Sequence, residues 1–68
     1  MDAWCNSLEA AGHRLTGPRR AVIDVLRRAE VPLEPQEILR RARPLHAELG
    51  LATVYRTVHL LAGEGLLR

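Results

Sequence analysis

The stretch LATVYRTVHLLAGE, residues 51–64, decides the fold of this chain. Its apolar residues recur at intervals of three and four, which is the spacing of one side of an α-helix. Turned by about 100° per residue, the stretch has an inner side that is expected to dock on other helices, made of Leu51, Val54, Val58, Leu61 and Ala62. The outward side then consists of Ala52, Thr53, Arg56, Thr57, His59 and Leu60, with Tyr55 near the boundary. We therefore predict an amphipathic helix over residues 51–64.

Three further helices are predicted upstream, over residues 2–11, 18–30 and 35–43. Gly12 stands in the stop position of the first helix. Thr16 is the predicted N-cap of the second helix, with Pro18 in its first turn, where a missing N–H costs nothing. Pro32 ends that helix because proline disfavours helical backbone at the residue before it. Pro35 opens the third helix in the same way as Pro18. The predicted fold class is all-α, with four helices.

Length and composition limit the classes of function that are open to the chain. Sixty-eight residues make one domain at most, with one modest core and no deep cleft between lobes. All ten basic residues are arginine, whose planar guanidinium suits phosphate groups and guanine edges. Cys5 is the single cysteine, which excludes an internal disulfide and a cysteine-pair metal site. Because the sequence has no signal peptide and no apolar run of about 20 residues, we expect a cytoplasmic protein.

The outward side of the predicted helix 51–64 has the features of a helix that reads DNA. Small residues allow close approach to the major groove, hydroxyls reach phosphates or base edges, and Arg56 can bind guanine through two hydrogen bonds. A plain amphipathic helix is the alternative, but Thr53, Tyr55 and Thr57 are poor helix formers for a face that only confers solubility. No nucleophile beside a base, no paired carboxylates and no glycine-rich phosphate loop point to an enzyme. We therefore predict a sequence-specific DNA-binding protein and not an enzyme.

Three blocks of this sequence resemble the ferric uptake regulator (Fur) family. Residues 52–58, ATVYRTV, followed by Leu61 and by residues 65–66, resemble the recognition-helix signature of that family. Residues 12–19, GHRLTGPR, resemble the segment that leads into its second helix. Residues 33–38, LEPQEI, are similar to the leucine, acidic pair and isoleucine that open its third helix. The blocks occur in order and at matching spacing, so the resemblance covers nearly the whole chain.

The resemblance implies an architecture and a set of partners. Members of the family are bacterial metal-responsive transcriptional regulators, with an N-terminal winged-helix DNA-binding domain and a C-terminal dimerisation domain. Residues 1–68 are then expected to be the winged-helix (helix-turn-helix) domain of a longer regulator, cut off at Arg68 before its wing hairpin. The expected partner is a double-stranded DNA operator, at which the regulator represses or activates. The full-length regulator is expected to be a homodimer through its C-terminal domain, and residues 1–68 alone are expected to be a monomer.

The resemblance also assigns roles to residues of the predicted helix 51–64. In the family, the tyrosine and the arginine of the TVYR string contact bases in the major groove. Tyr55 and Arg56 hold these positions here. Thr53 and Thr57, beside them, are expected to contact phosphates or bases.

The block before the second helix contributes two more DNA-binding candidates. Arg14 corresponds to a basic residue of the family that reaches a neighbouring minor groove. An arginine suits a narrow, electronegative minor groove. Arg19, in the same block, completes the set of expected DNA-binding residues.

The metal-sensing part of the resemblance is missing from this chain. Family members commonly have a histidine just before the leucine that opens the third helix, and here that position is Pro32, which cannot bind a metal. His13, His46 and His59 show no ligand spacing, so no metal ligand and no cofactor are expected in this chain. The full-length regulator is expected to bind zinc, a regulatory divalent metal or both.

Two alternatives to a metal-controlled DNA reader remain open. One is a winged-helix protein-interaction module that displays Tyr55 and Leu60 to a protein partner. The other is a DNA-binding regulator without metal control, which Pro32 leaves open.

Overall fold

A computed structural model describes residues 3–67, which form four α-helices. These are α1 (Ala3–Ala10), α2 (Gly17–Arg28), α3 (Pro35–Ala42) and α4 (Leu51–Gly63). Every helix end lies within two residues of its predicted position, and no strand occurs between residues 3 and 67, so the all-α prediction is confirmed there. The predicted start of the first helix at Asp2 and the predicted cut-off at Arg68 lie outside the described residues. None of the four helices is long and apolar enough to cross a membrane.

Glycine ends α1, as the sequence predicts, and also α4. Gly12 and Gly65 have positive φ angles of 92° and 74°, a backbone conformation that glycine adopts without steric cost. In each case the N–H of the residue after the glycine donates to a carbonyl in the last turn of the helix, at 2.9 Å. These bonds join His13 to Leu8 and Leu66 to Leu61. The chain therefore leaves both helices sharply and turns back over the core.

The start of α2 also follows the prediction. The Thr16 hydroxyl accepts a hydrogen bond from the Arg19 N–H at 3.3 Å, and Pro18 lies in the first turn. The helix ends at Arg28, two residues before the predicted end, because Ala29 already has extended backbone. The chain then stays out of helical conformation until Pro35 opens α3.

Two apolar clusters make up the core. The first joins α2, α3, α4 and the connection before α4, through Ala21, Val22, Val25, Ile38, Ala42, Leu49 and Val54. The second joins α1, α2 and α4, through Cys5, Leu8, Ile23 and Leu61. Because α2 and α4 contribute to both clusters, they form the centre of the fold, with α3 and α1 packed on different sides of it.

The pair α3 and α4 forms a helix-turn-helix unit supported by α2. Residues 43–50 connect the two helices. Within this connection Leu49 is 2% exposed and packs in the first cluster, and its N–H donates to the His46 carbonyl at 3.1 Å. The connection is therefore anchored in the core, and α4 is held with its opposite side open to solvent.

The main correction to the predicted inner side of α4 concerns the orientation of Thr57. The sequence predicts that its side chain points outward, but the side chain is fully buried, in line with Val54 and Leu61. Its hydroxyl donates to the Thr53 carbonyl at 2.7 Å, which satisfies the polar atom and lets the methyl group pack in the interior. A threonine on a helix can therefore be a core residue, and the prediction was wrong because it counted every hydroxyl as outward-facing.

Two smaller corrections concern the flanks of the same helix. Ala62 is exposed although it was expected to be buried, and Leu60 is half-buried against the second cluster although it was expected to face outward. Both follow from one shift, since the buried arc of α4 is rotated toward Thr57 and away from Ala62.

Glu37 holds two arginines on α3. Its carboxylate accepts hydrogen bonds from Arg40 Nε at 3.0 Å, Arg40 Nη2 at 2.5 Å and Arg41 Nε at 2.6 Å. The hydrogen bonds from Arg40 and then from Arg41 lower the pKa of Glu37 from its ordinary value of 4.5 to about 2. Because these side chains are accessible to solvent, dissolved salt screens much of the interaction.

Replacing Glu37 with glutamine is expected to remove part of the acid sensitivity of the protein. A carboxyl whose pKa is lowered by folding stabilises the fold above its ordinary pKa, and this contribution is lost as the pH falls from about 4.5 towards about 2. The melting temperature of the Glu37→Gln variant should therefore fall less than that of the parent over this interval at low salt. Glu48→Gln, at an exposed loop position, is the matched control and should fall as the parent does. If the melting temperature fell equally with pH in all three proteins, the hydrogen bonds of Glu37 would not be the source of this acid sensitivity.

Candidate nucleic-acid interface

The outward side of α4 carries four exposed side chains: Ala52, Tyr55, Arg56 and His59. Tyr55 is 55% exposed, which is high for a large aromatic residue. Thr53 lies at the flank of this side and is half-buried. The two residues expected to read bases, Tyr55 and Arg56, therefore both reach solvent from a helix whose other side is fixed in the core.

Arg14 and Arg19 lie next to α4, although they are distant from it in sequence. An open depression of about 350 Å³ is lined by Arg14, Thr16, Pro18, Arg19, Thr53 and Arg56. Within it, Arg19 Nη1 donates to the Arg14 carbonyl at 2.6 Å, which ties the segment before α2 to the first turn of that helix. The fold thus gathers four of the six sequence-predicted site residues around one depression.

A second depression continues this surface along α4. It has a volume of about 530 Å³ and is lined by Arg19, Tyr55, Arg56, His59 and Leu60. Because Arg19 and Arg56 border both depressions, the two form one continuous surface. We call it the arginine face and define it by Arg14, Arg19, Thr53, Tyr55, Arg56 and His59.

His59 is the member of the arginine face that is absent from the sequence-predicted site residues. It follows Arg56 by three positions and Tyr55 by four, which are the spacings that put helical residues on one side. This spacing is visible in the sequence, which places His59 on the outward side of the helix, but the only role weighed for it there is that of a metal ligand.

The arginine face is free of acidic side chains. Neither depression is lined by an aspartate or a glutamate among residues 3–67. Other arginines are neutralised by acids, since Arg28 lies 3.2 Å from Asp24 and Glu37 binds both Arg40 and Arg41. Guanidinium groups without a carboxylate partner keep their positive charge for a ligand, and Arg19 still has further N–H donors besides the one that the Arg14 carbonyl accepts. The charge pattern suits a polyanion at this face.

Acidic residues mark one edge of the arginine face. Glu34 and Glu37, at the start of α3, line a neighbouring depression together with Tyr55. Arg40, which also lines this depression, and Arg41 pair with Glu37, so this edge has little net charge. A polyanion is therefore attracted more strongly to Arg19 and Arg56.

Thr57 does not belong to the arginine face. Its side chain is fully buried, so it cannot contact DNA as the sequence predicts. Thr53 lies at the rim of the depression that it shares with Arg56.

The residues present do not fit the metal that the family resemblance implies. No group of three or more histidine, cysteine, aspartate or glutamate residues in the described part of the chain could hold a metal ion. His13 Nε2 lies 3.3 Å from Glu64 Oε2, His46 packs beside Gly17, and Cys5 is buried in the second cluster.

Comparison with known proteins gives a family match over most of the chain. Residues 10–68 match the ferric uptake regulator family. The chain is 41% identical over 58 residues to the ferric uptake regulation proteins of Brucella suis biovar 1 (strain 1330) and Brucella abortus biovar 1 (strain 9-941), a match covering 85% of this chain and 41% of each relative. It is 34% identical over 56 residues to the ferric uptake regulation protein of Rhizobium leguminosarum bv. viciae, covering 82% of this chain and 39% of that protein.

The chain thus spans about two fifths of the length of the curated relatives it matches. No solved structure is a significant match. The N-terminal domain of the matching family has a winged-helix DNA-binding fold, and the four helices described here are the helical part of that fold. The chain belongs to the ferric uptake regulator family.

Proposed function

We propose that this chain is the DNA-binding part of a sequence-specific transcriptional regulator, with α4 as the helix that enters the major groove. The observation that carries the proposal is the arginine face. It brings Arg14, from the segment before α2, and Arg19, from the first turn of α2, to Tyr55 and Arg56 on α4, with no acid among them. Phosphates supply most of the attraction in such complexes, and base edges supply the specificity.

The arrangement assigns a role to each part of this surface. Ala52 is small and exposed near the start of α4, so the helix can approach base edges closely. Arg56 follows one turn later and offers two parallel donors to the N7 and O6 atoms of guanine. Tyr55 presents its ring and hydroxyl beside it. Arg14, which lines the same depression as Arg56, reaches the adjoining phosphates or minor groove.

The same proposal extends to the full-length regulator. The relatives are named ferric uptake regulation proteins and are more than twice as long as the matched segment, which supports residues 1–68 as the N-terminal domain of a longer, metal-responsive regulator. A homodimer would place two copies of α4 on two half-sites of one operator. Zinc or a regulatory divalent metal would then bind outside this chain, and the protein would act in the cytoplasm.

The protein-interaction alternative has less support. It depends on Tyr55 and Leu60 as an exposed apolar pair, and Leu60 is half-buried against the second cluster. Tyr55 is then the only large apolar group that the pair offers to a protein partner.

Arg56→Ala is the decisive test of DNA binding. Sequences that the protein enriches from a random duplex pool are identified first, and the affinity for the enriched duplex is then measured for parent and variant. Loss of one bidentate guanine contact is expected to weaken this affinity by about 5- to 150-fold. Arg28→Ala is the matched control, because Arg28 is paired with Asp24 away from the arginine face, and its affinity should stay close to that of the parent. Enrichment of no sequence, or equal losses in both variants, would refute the proposal.

A further inference from the structure

We infer that His59 is a further specificity-determining residue, which donates a hydrogen bond to a guanine one base pair away from the base read by Arg56. The inference rests on the proposed function, because it requires α4 to lie in the major groove. It adds a base contact to the reading helix.

The three histidines of the chain have different surroundings. His13 is half-buried and its Nε2 lies 3.3 Å from Glu64 Oε2, so it links the ends of α1 and α4. His46 is half-buried beside Gly17 in the connection between α3 and α4. His59 is exposed, and within residues 3–67 its ring has no hydrogen-bond or ion-pair partner. Two histidines therefore serve the fold, and the third presents an unused donor to solvent.

The position of His59 on α4 places it within the reading surface. With about 100° per residue, its side chain projects between those of Tyr55 and Arg56 when the helix is viewed along its axis. It also lines the 530 Å³ depression together with Arg19, Tyr55 and Arg56. A group that approaches Tyr55 and Arg56 from solvent therefore meets His59 as well.

The spacing along the helix selects a neighbouring base pair. His59 lies three residues beyond Arg56, which is about 4.5 Å along the axis. Successive base pairs are about 3.4 Å apart. Side chains that differ by this distance on the same side of a groove-bound helix reach adjacent base pairs.

The chemistry of the ring favours guanine. A neutral imidazole has one N–H donor, and neither depression of the arginine face contains a carboxylate that would occupy it. In the major groove guanine presents two acceptors, N7 and O6, whereas adenine presents an acceptor beside an amino donor. A donor that reaches a purine edge from His59 is therefore best satisfied by guanine. The amide of an asparagine at the same place would instead pair with adenine.

The test compares the sequences enriched by four proteins from one random duplex pool: the parent, Arg56→Ala, His59→Ala and His59→Asn. For His59→Ala we expect the preference for guanine to fall by about two- to tenfold at one base pair, the range for one hydrogen bond, with the Arg56-dependent preference retained beside it. For His59→Asn we expect adenine to replace guanine at that base pair. Because His59 is exposed, both variants should melt at the temperature of the parent.

Other outcomes separate a failure of the inference from a failure of the proposed function. An equal loss of affinity for all duplexes would make His59 a phosphate contact and would overturn the inference. An unchanged preference in both His59 variants, with Arg56→Ala behaving as proposed, would also overturn the inference alone. If the parent enriched no sequence, the proposed function would fail and the inference with it.

Discussion

Leu61→Ala is expected to lower the free energy of unfolding by about 2–5 kcal/mol, the range for removing a buried leucine side chain. Leu61 is fully buried on α4 and packs against Cys5, Leu8 and Ile23, so it joins α4 to both α1 and α2. A domain of this length is stabilised by only about 3–10 kcal/mol. Leu61→Ala should therefore remove a large share of that stability, and specific DNA binding should weaken because α4 is less firmly supported.

Denaturant unfolding followed by circular dichroism measures this loss. Leu45→Ala is the matched control, because it removes the same atoms from a side chain that is 57% exposed. The control should change the free energy of unfolding by no more than about 0.5 kcal/mol. Similar losses in both variants would mean that the second cluster is not a core.

The positions of the helices could be predicted from the sequence because local rules and packing agree here. Thr16 with Pro18, and Gly12 and Gly65, act within a few residues of themselves, and each does what its type favours at a helix end. The period of the apolar residues then identified α4 and most of its inner side. These features depend on neighbours in sequence, so no knowledge of the tertiary structure was needed.

The composition of the site could be predicted only in part, because it depends on tertiary contacts. The approach of Arg14 and Arg19 to Arg56 comes from the packing of α2 on α4 and is not encoded in any local pattern. The family resemblance pointed to Arg14 and Arg19, but only the structure puts them on one surface. The absence of acids from that surface also depends on the fold, since Glu37 and Asp24 are directed to other arginines.

The wrong prediction that Thr57 faces solvent also has its cause in tertiary packing. Polarity by residue type assigns threonine to solvent, yet its hydroxyl can be satisfied within its own helix, as the bond to the Thr53 carbonyl shows. Whether such a residue is buried is decided by the rotation of the helix against its neighbours. That rotation is fixed by the apolar residues on either side of Thr57, Val54 and Leu61.

Substitution of Thr57 distinguishes a core residue from a DNA contact, because the two roles predict opposite outcomes. As a core residue, Thr57 should tolerate valine, which has the same shape and loses only one hydroxyl hydrogen bond, at a cost of about 0.5–1.5 kcal/mol. The DNA affinity of folded Thr57→Val should stay near that of the parent. Thr57→Arg should instead force a charged side chain into the interior, at a cost of several kcal/mol, and unfold the domain.

A surface role would reverse both results. An arginine at a DNA-facing position would add a phosphate contact, strengthen binding at low salt and leave the melting temperature unchanged. Valine at that position would remove a hydroxyl contact and weaken binding without affecting stability. The melting temperatures and DNA affinities of Thr57→Val and Thr57→Arg therefore decide which side of α4 is buried. Thr53→Val, at the half-exposed rim, is the control for a threonine that reaches the surface. A folded Thr57→Arg variant with raised affinity would show that the buried arc of α4 is misassigned, and the arginine face with it.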